Sequence, residues 1–271
     1  HAATQKHRPG MALPKAKVVV ANNVLAHIDD LADVVAGVKS ILAPDGVLVF
    51  EVQYILDLVE RGQWDMIYHE HLDYHALGPL RTFFQRHDMN LYHAQRVNTH
   101  GGSLRCWVRL VPNGKVAVSD VVRELLHAET MAGLFFAATY TALEQRIEAM
   151  GKRLRGRIRE IQWNNLNAGG TTPVVIGYGA PAKATTLMYA CGIDTEDLAY
   201  IVDDSAWKQG LLSPGKNIPV VAPSRMFEGT PPDYVVVLAW NFFPSIVAKV
   251  TAQFQERGLR VPTFIHPLEV S

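Results

Sequence analysis

Short apolar runs enclose a segment with helical periodicity near the N-terminus. The runs KVVVAN (17–22) and GVLVFEV (46–52) are typical of buried parallel strands. Between them, apolar residues at spacings of three and four across 28–42 predict a helix that ends before Pro44. A strand, a helix and a strand in this order predict a right-handed βαβ unit.

The middle of the chain carries two other patterns. Polar and apolar residues alternate over 90–97 and 103–111, which predicts two antiparallel strands. From 119 to about 166 the periodicity is helical and proline is absent, which predicts one long helix or two. The basic run KRLRGRIRE (152–160) inside this segment is interpreted as a solvated helix face, with phosphate binding as the alternative.

The C-terminal part returns to the α/β pattern. Five apolar runs fit buried strands, at 174–180, 199–205, 218–221, 233–240 and 261–267. Helical segments follow the first run and precede the last one. This alternation predicts a parallel, doubly wound sheet.

Composition narrows the class of protein. The chain has 271 residues, enough for about two domains. Lys and Arg balance Asp and Glu at 26 each, so no overall charge draws the chain to nucleic acid or to an anionic membrane. A hydrophobic content of 48% excludes disorder as the main state. The two cysteines form no CxxC pair, and neither a spanning segment nor a secretion signal is present, so a cytoplasmic location is expected.

The densest group of reactive side chains is IYHEHLDYH (67–75), which contains Tyr68, Glu70 and His71. Phenol, carboxylate and imidazole groups together suit proton transfer near neutral pH. Three of its histidines could alternatively bind a metal, although the spacing is not that of HExxH. A polar loop with capping histidines is the third interpretation.

Polar residues also follow the first two predicted strands. Asn22, Asn23 and His27 lie just beyond the carboxyl end of the first, and Glu51 lies at the end of the second. Open α/β sheets bind ligands at this edge, so these side chains are expected to face one crevice. Helix capping by Asn and Asp residues is the alternative.

The segment HGGSLR (100–105) combines paired glycines with a hydroxyl and a guanidinium. The glycines allow a ligand to approach the backbone, and Ser103 and Arg105 share one face of a regular strand. These two residues could bind a phosphate or a sugar hydroxyl. A hairpin turn with an exposed arginine is the alternative.

GYGAPAK (177–183) forms a glycine turn between a strand and a helix. The helix end and Lys183 favour phosphate binding. Asp203 and Asp204 end the next strand and could hold ribose hydroxyls, so these residues by themselves would also support a nicotinamide enzyme.

Seven motifs in one order resemble a known family. They are ANNVLAHIDDL, PDGVLVFEVQY, IYHEHLDY, HGGSLR, GYGAPAKATTL, VDDSAWKQGLLSPGKNIPV and VLAWN. From about Val18 to Pro267 the chain is similar to the S-adenosylmethionine-dependent sugar C-methyltransferases, which act on dTDP-4-keto-deoxysugars and make branched sugars for antibiotics and surface glycans. The resemblance implies that a base removes the proton at C3 and that the resulting enolate takes the methyl group from S-adenosylmethionine.

The resemblance also implies roles for individual residues. His71 would be the base, with Tyr68, Glu70 and His27 around the sugar. Asn23 would lie near the sugar or the cofactor. Asn22 and Asn23 are the expected cofactor contacts, and the other expected substrate contacts are Ser103, Arg105, Tyr178 and Lys183, with Lys183 at the pyrophosphate.

The expected fold class is α/β with three parts. They are the C-terminal part of a Rossmann-like methyltransferase domain with the active-site loop (1–112), a helical connector (113–167) and a doubly wound, Rossmann-like sugar-nucleotide-binding domain (168–271). The sequence lacks counterparts of the family's N-terminal zinc module and first glycine-rich loop. We therefore expect further residues upstream, with zinc confined to that module, and a half sheet here with uncovered apolar faces.

Two other functions remain open at this stage. One is an NAD-dependent sugar-nucleotide oxidoreductase or epimerase, which the glycine turn and the paired aspartates favour. The other is a non-catalytic sugar-nucleotide-binding fragment. A dTDP-linked 4-keto-deoxysugar is the expected partner, the protein is expected to be a monomer, and neither nucleic acid nor a membrane is expected as a partner.

Overall fold

The computed structural model describes residues 14–111, 117–167 and 171–269. The chain divides into two compact units. The first comprises His1–Ile55 and Leu72–Met131, and the second comprises Leu56–His71 and Ala132–Ser271. In the described ranges, no helix combines the length and apolar character that crossing a bilayer requires.

The first unit contains a mixed four-stranded sheet in the order β1-β2-β4-β3. Its strands are β1 (Ala16–Asn22), β2 (Leu42–Gln53), β3 (Met89–Val97) and β4 (Ser103–Leu110). Its helices are α1 (Leu31–Ile41), α3 (Leu77–Arg86) and α4 (Asp120–Met131). β1 and β2 run parallel, and β4 pairs antiparallel with both β2 and β3. The predicted βαβ unit and the predicted antiparallel strands are confirmed.

Two predictions for this sheet disagree, and β1 decides between them. The prediction that both apolar runs form buried strands is wrong for β1, whereas the predicted uncovered apolar face is present among the described residues, because Val18 and Val20 are 56% and 61% exposed. β1 is a terminal strand of the sheet that the described residues form, and it pairs there with β2. An apolar run identifies a strand, but it does not specify what covers the strand's faces.

The second unit contains a five-stranded parallel sheet in the order β7-β6-β5-β8-β9. Its strands are β5 (Val175–Tyr178), β6 (Ile201–Val202), β7 (Val220–Val221), β8 (Tyr234–Val237) and β9 (Thr263–Ile265). Its helices are α2 (Ile55–Arg61, whose first residue belongs to the first unit), α5 (Ala137–Asn167), α6 (Ala182–Cys191) and α7 (Phe243–Glu256). The strand order reverses between β5 and β8, so the predicted doubly wound topology is confirmed and its ligand-binding crevice is expected at that point.

The basic run at 152–160 is not simply a solvated face. Leu154 and Ile158 are fully buried, in a cluster of apolar residues of the second unit that includes residues of α6. Arg155 and Arg159 each place Nε near the carboxylate of Asp197, at 3.0 and 3.2 Å. This side of α5 therefore packs against the acidic turn that follows α6, through apolar and ionic contacts together.

The predicted domain borders differ from the division into units. The borders near 112 and 168 lie outside the described residues. In the structure, residues 56–71 join the second unit, and α4 belongs to the first. The three-part assignment by family domain stays a prediction.

Candidate active site

His71 lies at the end of the second unit's N-terminal segment and is 9% exposed. Its Nδ1 is 2.8 Å from the carbonyl oxygen of Met66, the last residue of a 3₁₀ turn over Trp64–Met66. A carbonyl oxygen can only accept, so Nδ1 carries a hydrogen, and in the neutral imidazole Nε2 then carries the lone pair. The Tyr68 ring packs on the imidazole with centroids 4.2 Å apart. This arrangement gives His71 the tautomer and the fixed ring that a general base at Nε2 requires.

The other groups of this motif are placed differently. His69 and Glu70 are exposed, with side-chain exposures of 81% and 56%, and Nε2 of His69 is 3.9 Å from Oε1 of Glu70. His75 belongs to the first unit and is buried, and this burial lowers its imidazole pKa and favours the neutral ring. Among the described residues, no group of three His, Cys, Asp or Glu side chains is arranged to hold a metal ion.

The polar edge of the first unit forms at the carboxyl ends of β1 and β2. Asn22 is exposed and pairs in register with Glu51, which is 2% exposed. Asn23 has φ of 53°, and its N–H donates to the Glu51 carbonyl oxygen at 2.8 Å. His27 ends a 3₁₀ turn close after this edge in sequence and is exposed. The backbones of Asn22, Asn23 and Glu51 are therefore adjacent at this edge, and the crevice that these residues and His27 are expected to face stays a prediction.

Ser103 and Arg105 already have protein partners. Ser103 is fully buried, and its hydroxyl donates to the Thr99 carbonyl oxygen at 3.0 Å. Arg105 donates to Glu51 from the neighbouring strand. Both contacts stabilise the sheet itself, and the predicted substrate contacts of these two residues remain predictions.

The glycine turn of the second unit is closed by Asp203. Its two carboxylate oxygens accept hydrogen bonds from the N–H groups of Ala180, at 2.7 Å, and Ser205, at 2.8 Å. Lys208 also contacts this carboxylate, at 3.4 Å. Asp203 thus stabilises the loop, which weakens the interpretation that it binds the ribose of a nicotinamide cofactor.

Tyr178 and Lys183 lie on opposite sides of the second sheet. Tyr178 is 2% exposed, and its hydroxyl lies 3.2 Å from Oδ1 of Asp204, which also pairs with Lys249. Burial raises the pKa of this phenol, so it stays protonated. Tyr178 packs in a cluster of buried apolar residues that includes residues of α7. Lys183 contacts Trp240, which belongs to a separate cluster that includes residues of α6.

Lys183 lies at the switch point of the sheet but is only 6% exposed. Its Nζ donates to Oδ1 of Asn241 at 2.7 Å and lies 3.9 Å from the centroid of the Trp240 ring. Burial lowers its pKa to about 8, against the opposing effect of the Asp65 carboxylate. Trp240 and Asn241 belong to the VLAWN motif of the sequence analysis, but no pattern in the sequence indicated that Asp65 takes part in this group of contacts.

Comparisons with known proteins agree with this architecture. Residues 98–268 match the family described as C-methyltransferase C-terminal domain, and residues 2–94 match the methyltransferase domain family. The chain is also 36% identical, over 253 residues, to C-methyltransferase NovU of Streptomyces niveus. That similarity covers 93% of this chain and 57% of the relative, so the chain spans little more than half of the relative's length. Because the match over residues 98–268 covers more than half of the chain, the chain belongs to the C-methyltransferase family.

Proposed function

We propose that the protein is an S-adenosylmethionine-dependent C-methyltransferase that methylates C3 of a dTDP-4-keto-deoxysugar. Membership of the family supports the reaction class, and the similarity to NovU supports C-methyl transfer. The motifs shared with the sugar C-methyltransferases support the sugar nucleotide and the C3 position.

The observation that carries this proposal is the 2.8 Å contact between Nδ1 of His71 and the Met66 carbonyl oxygen. In the neutral imidazole Nδ1–H donates to this carbonyl, so the lone pair on Nε2 is the proton acceptor. A proton at C3 is acidic because the C4 ketone delocalises the resulting charge as an enolate. His71 removes this proton through Nε2, and the Tyr68 ring holds the imidazole plane during the transfer.

We assign the stabilisation of the charge that develops on the C4 oxygen to Tyr68, Glu70 and His27, as the family motifs imply. Hydrogen-bond donors placed at a developing oxyanion lower the barrier. The Glu70 side chain is 56% exposed in the structure.

Asn22 and Asn23 fit the cofactor. The exposed Asn22 amide and the positive-φ turn at Asn23 stand at the carboxyl end of parallel strands, where α/β sheets bind polar ligands. When bound, S-adenosylmethionine supplies the electrophilic methyl group that the C3 carbanion acquires. The two asparagines would orient it through amide hydrogen bonds.

We assign the dTDP part to the second unit, because doubly wound sheets bind ligands where the strand order reverses, which is here between β5 and β8. Ser103 and Arg105 remain predicted contacts of the sugar or phosphate from the first unit.

Product analysis tests the proposed function. The purified protein is incubated with S-adenosylmethionine and a dTDP-4-keto-deoxysugar, and the product is examined by mass spectrometry and NMR. We expect one added methyl group, located at C3. A nicotinamide-dependent change of oxidation state in the sugar, or sugar-nucleotide binding without any turnover, would contradict the proposal in favour of the oxidoreductase or the binding fragment.

A further inference from the structure

The 3₁₀ turn that orients His71 is itself held by the C-terminal part of the second unit. Met66 provides the carbonyl that binds Nδ1 of His71. On one side of it, the Asp65 carboxylate accepts a hydrogen bond from the indole N–H of Trp240. On the other side, the Ile67 carbonyl oxygen accepts a hydrogen bond from Oγ1 of Thr186 at 3.0 Å. Three consecutive residues therefore link the base to β8's carboxyl end and to α6.

Asp65 depends on Lys183 for charge compensation. The carboxylate is fully buried, and its Oδ1 accepts no hydrogen bond from the residues the structure describes. Lys183 provides the attracting charge, and Trp240 contacts both groups, with its ring face against Nζ of Lys183 and its N–H donating to Asp65. A buried carboxylate without such a partner is costly, so Lys183 keeps Asp65 and the turn in place.

Lys183 and Thr186 share one face of α6. They are three residues apart, a spacing that places side chains next to each other on a helix. α6 packs against the 3₁₀ turn, so this face is the one that meets residues 65–67. One helix thus reaches both sides of the Met66 carbonyl.

We propose that Lys183 and Thr186 are positioning residues for His71, because they fix the turn whose Met66 carbonyl sets its tautomer. The proposal rests on the proposed function of His71 as the base. It replaces the pyrophosphate contact that the resemblance implied for Lys183, since the ammonium group is buried and directed at Asn241 and Trp240.

The pKa shifts of Asp65 and Lys183 agree with the burial of both side chains. Burial raises the pKa of Asp65 and lowers that of Lys183, and in each case the partner's charge opposes the effect of burial. Both groups are therefore buried and close enough for their charges to attract each other.

Thr186→Val tests the proposal directly, with Thr185→Val on the same helix as the matched control and Thr186→Ser as the rescue. Two quantities are measured in the intact protein. The first is the tautomer of His71, from the ¹⁵N chemical shifts of its ring. The second is the rate at which C3 of the substrate exchanges its proton with deuterated water, resolved into kcat and KM.

For Thr186→Val we expect a mixture of His71 tautomers and a kcat for exchange lower by about tenfold, because small displacements of a catalytic group are costly. KM stays unchanged, Thr186→Ser restores both readouts, and Thr185→Val leaves both as in the wild type. Unchanged His71 shifts in Thr186→Val would overturn the role of Thr186.

Lys183→Met separates positioning from substrate binding. A positioning role predicts a lower kcat, an unchanged KM and altered His71 shifts. A raised KM with wild-type shifts and kcat would overturn it in favour of a pyrophosphate contact. If this variant does not fold, the double variant Asp65→Asn/Lys183→Met, which leaves no buried charge at this pair, is used for KM alone, where an unchanged KM supports the positioning role and a raised KM overturns it.

The ¹⁵N chemical shifts of the His71 ring test the positioning role independently of the proposed role of His71 as the base. If His71→Asn kept the exchange rate, His71 would not be the base. The ¹⁵N shifts of the Thr186 and Lys183 variants would still decide whether these residues hold its imidazole.

Discussion

Arg105 donates two hydrogen bonds to one carboxylate oxygen of Glu51, from Nε at 3.1 Å and from Nη2 at 2.9 Å. The two residues face each other across the antiparallel pair of β2 and β4. Glu51 is 2% exposed, and its parallel neighbour in register is Asn22. The ion pair therefore supports the sheet edge from which the predicted cofactor contacts project.

Removing the Arg105 guanidinium should destabilise this edge. Arg105→Met leaves the buried Glu51 carboxylate without its partner, so we expect the free energy of unfolding to fall by about 2 kcal/mol in urea titrations. Arg109→Met on the same strand is the control, because Arg109 is exposed and stacks on Tyr92. Equal losses in the two variants would show that the ion pair adds nothing.

Glu129 provides a second buried carboxylate with a stabilising role. It is fully buried on α4 and accepts hydrogen bonds from the first N–H groups of α3, Leu77 and Gly78, and from the Tyr54 hydroxyl. In Glu129→Gln, an NH2 group replaces one carboxylate oxygen and faces a hydrogen-bond donor, so that one of these hydrogen bonds is lost. The substitution should therefore lower the free energy of unfolding by about 2 kcal/mol.

Thermal and urea unfolding of Glu129→Gln measure this loss. Glu124→Gln, an exposed position on the same helix, is the control and should remain close to the wild type. A Glu129 variant as stable as the control would contradict the role of Glu129 as the N-terminal partner of α3.

The turn at Gly179 should tolerate no side chain. Its φ is 89°, and a Cβ atom there would lie 2.5 Å from the Cβ of Ala239. Gly210 has a similar φ of 84°, but a Cβ atom there would meet nothing within 4 Å. Gly210→Ala therefore carries only the conformational cost of about 1 kcal/mol, whereas Gly179→Ala carries a steric cost in addition. Equal unfolding midpoints for the two variants would refute the close contact with Ala239.

The ionisation of Lys183 should appear in the pH dependence of stability. Burial lowers its pKa from 10.5 to about 8, so between these values the unfolded chain binds a proton that the folded protein has released. Stability rises with pH wherever the unfolded state binds more protons. The free energy of unfolding of the wild type should therefore rise relative to that of Lys183→Met across this window. A difference that stays constant or falls would contradict the lowered pKa.

Regular elements were predictable where periodicity was strong. All five strands of the second sheet were predicted, because continuous apolar runs alternate there with turns and helices. The break between α4 and α5 was left open, since the segment from Ala132 to Phe136 continues the apolar pattern. Gly133, with φ of 67°, is the residue there that adopts a backbone conformation foreign to helices.

The candidate site was predictable only in part. The reactive residues of the His71 motif follow one another in sequence, so local chemistry and the family motifs identify them. The groups that hold this motif in place are far apart in sequence. The hydrogen bond between Asp65 and Trp240 joins residues 175 positions apart, and the one between Thr186 and Ile67 joins residues 119 positions apart. Such contacts depend on how the chain packs, and a single sequence gives no signal of them.

Deuterium exchange at C3 tests the role of His71 most directly. The substrate is incubated in deuterated water with S-adenosylhomocysteine replacing the cofactor, so that proton removal is observed without methyl transfer. We predict that His71→Asn lowers the exchange rate by at least about 100-fold while still binding dTDP, and that His69→Asn keeps the wild-type rate. Exchange at the wild-type rate in His71→Asn would contradict the account.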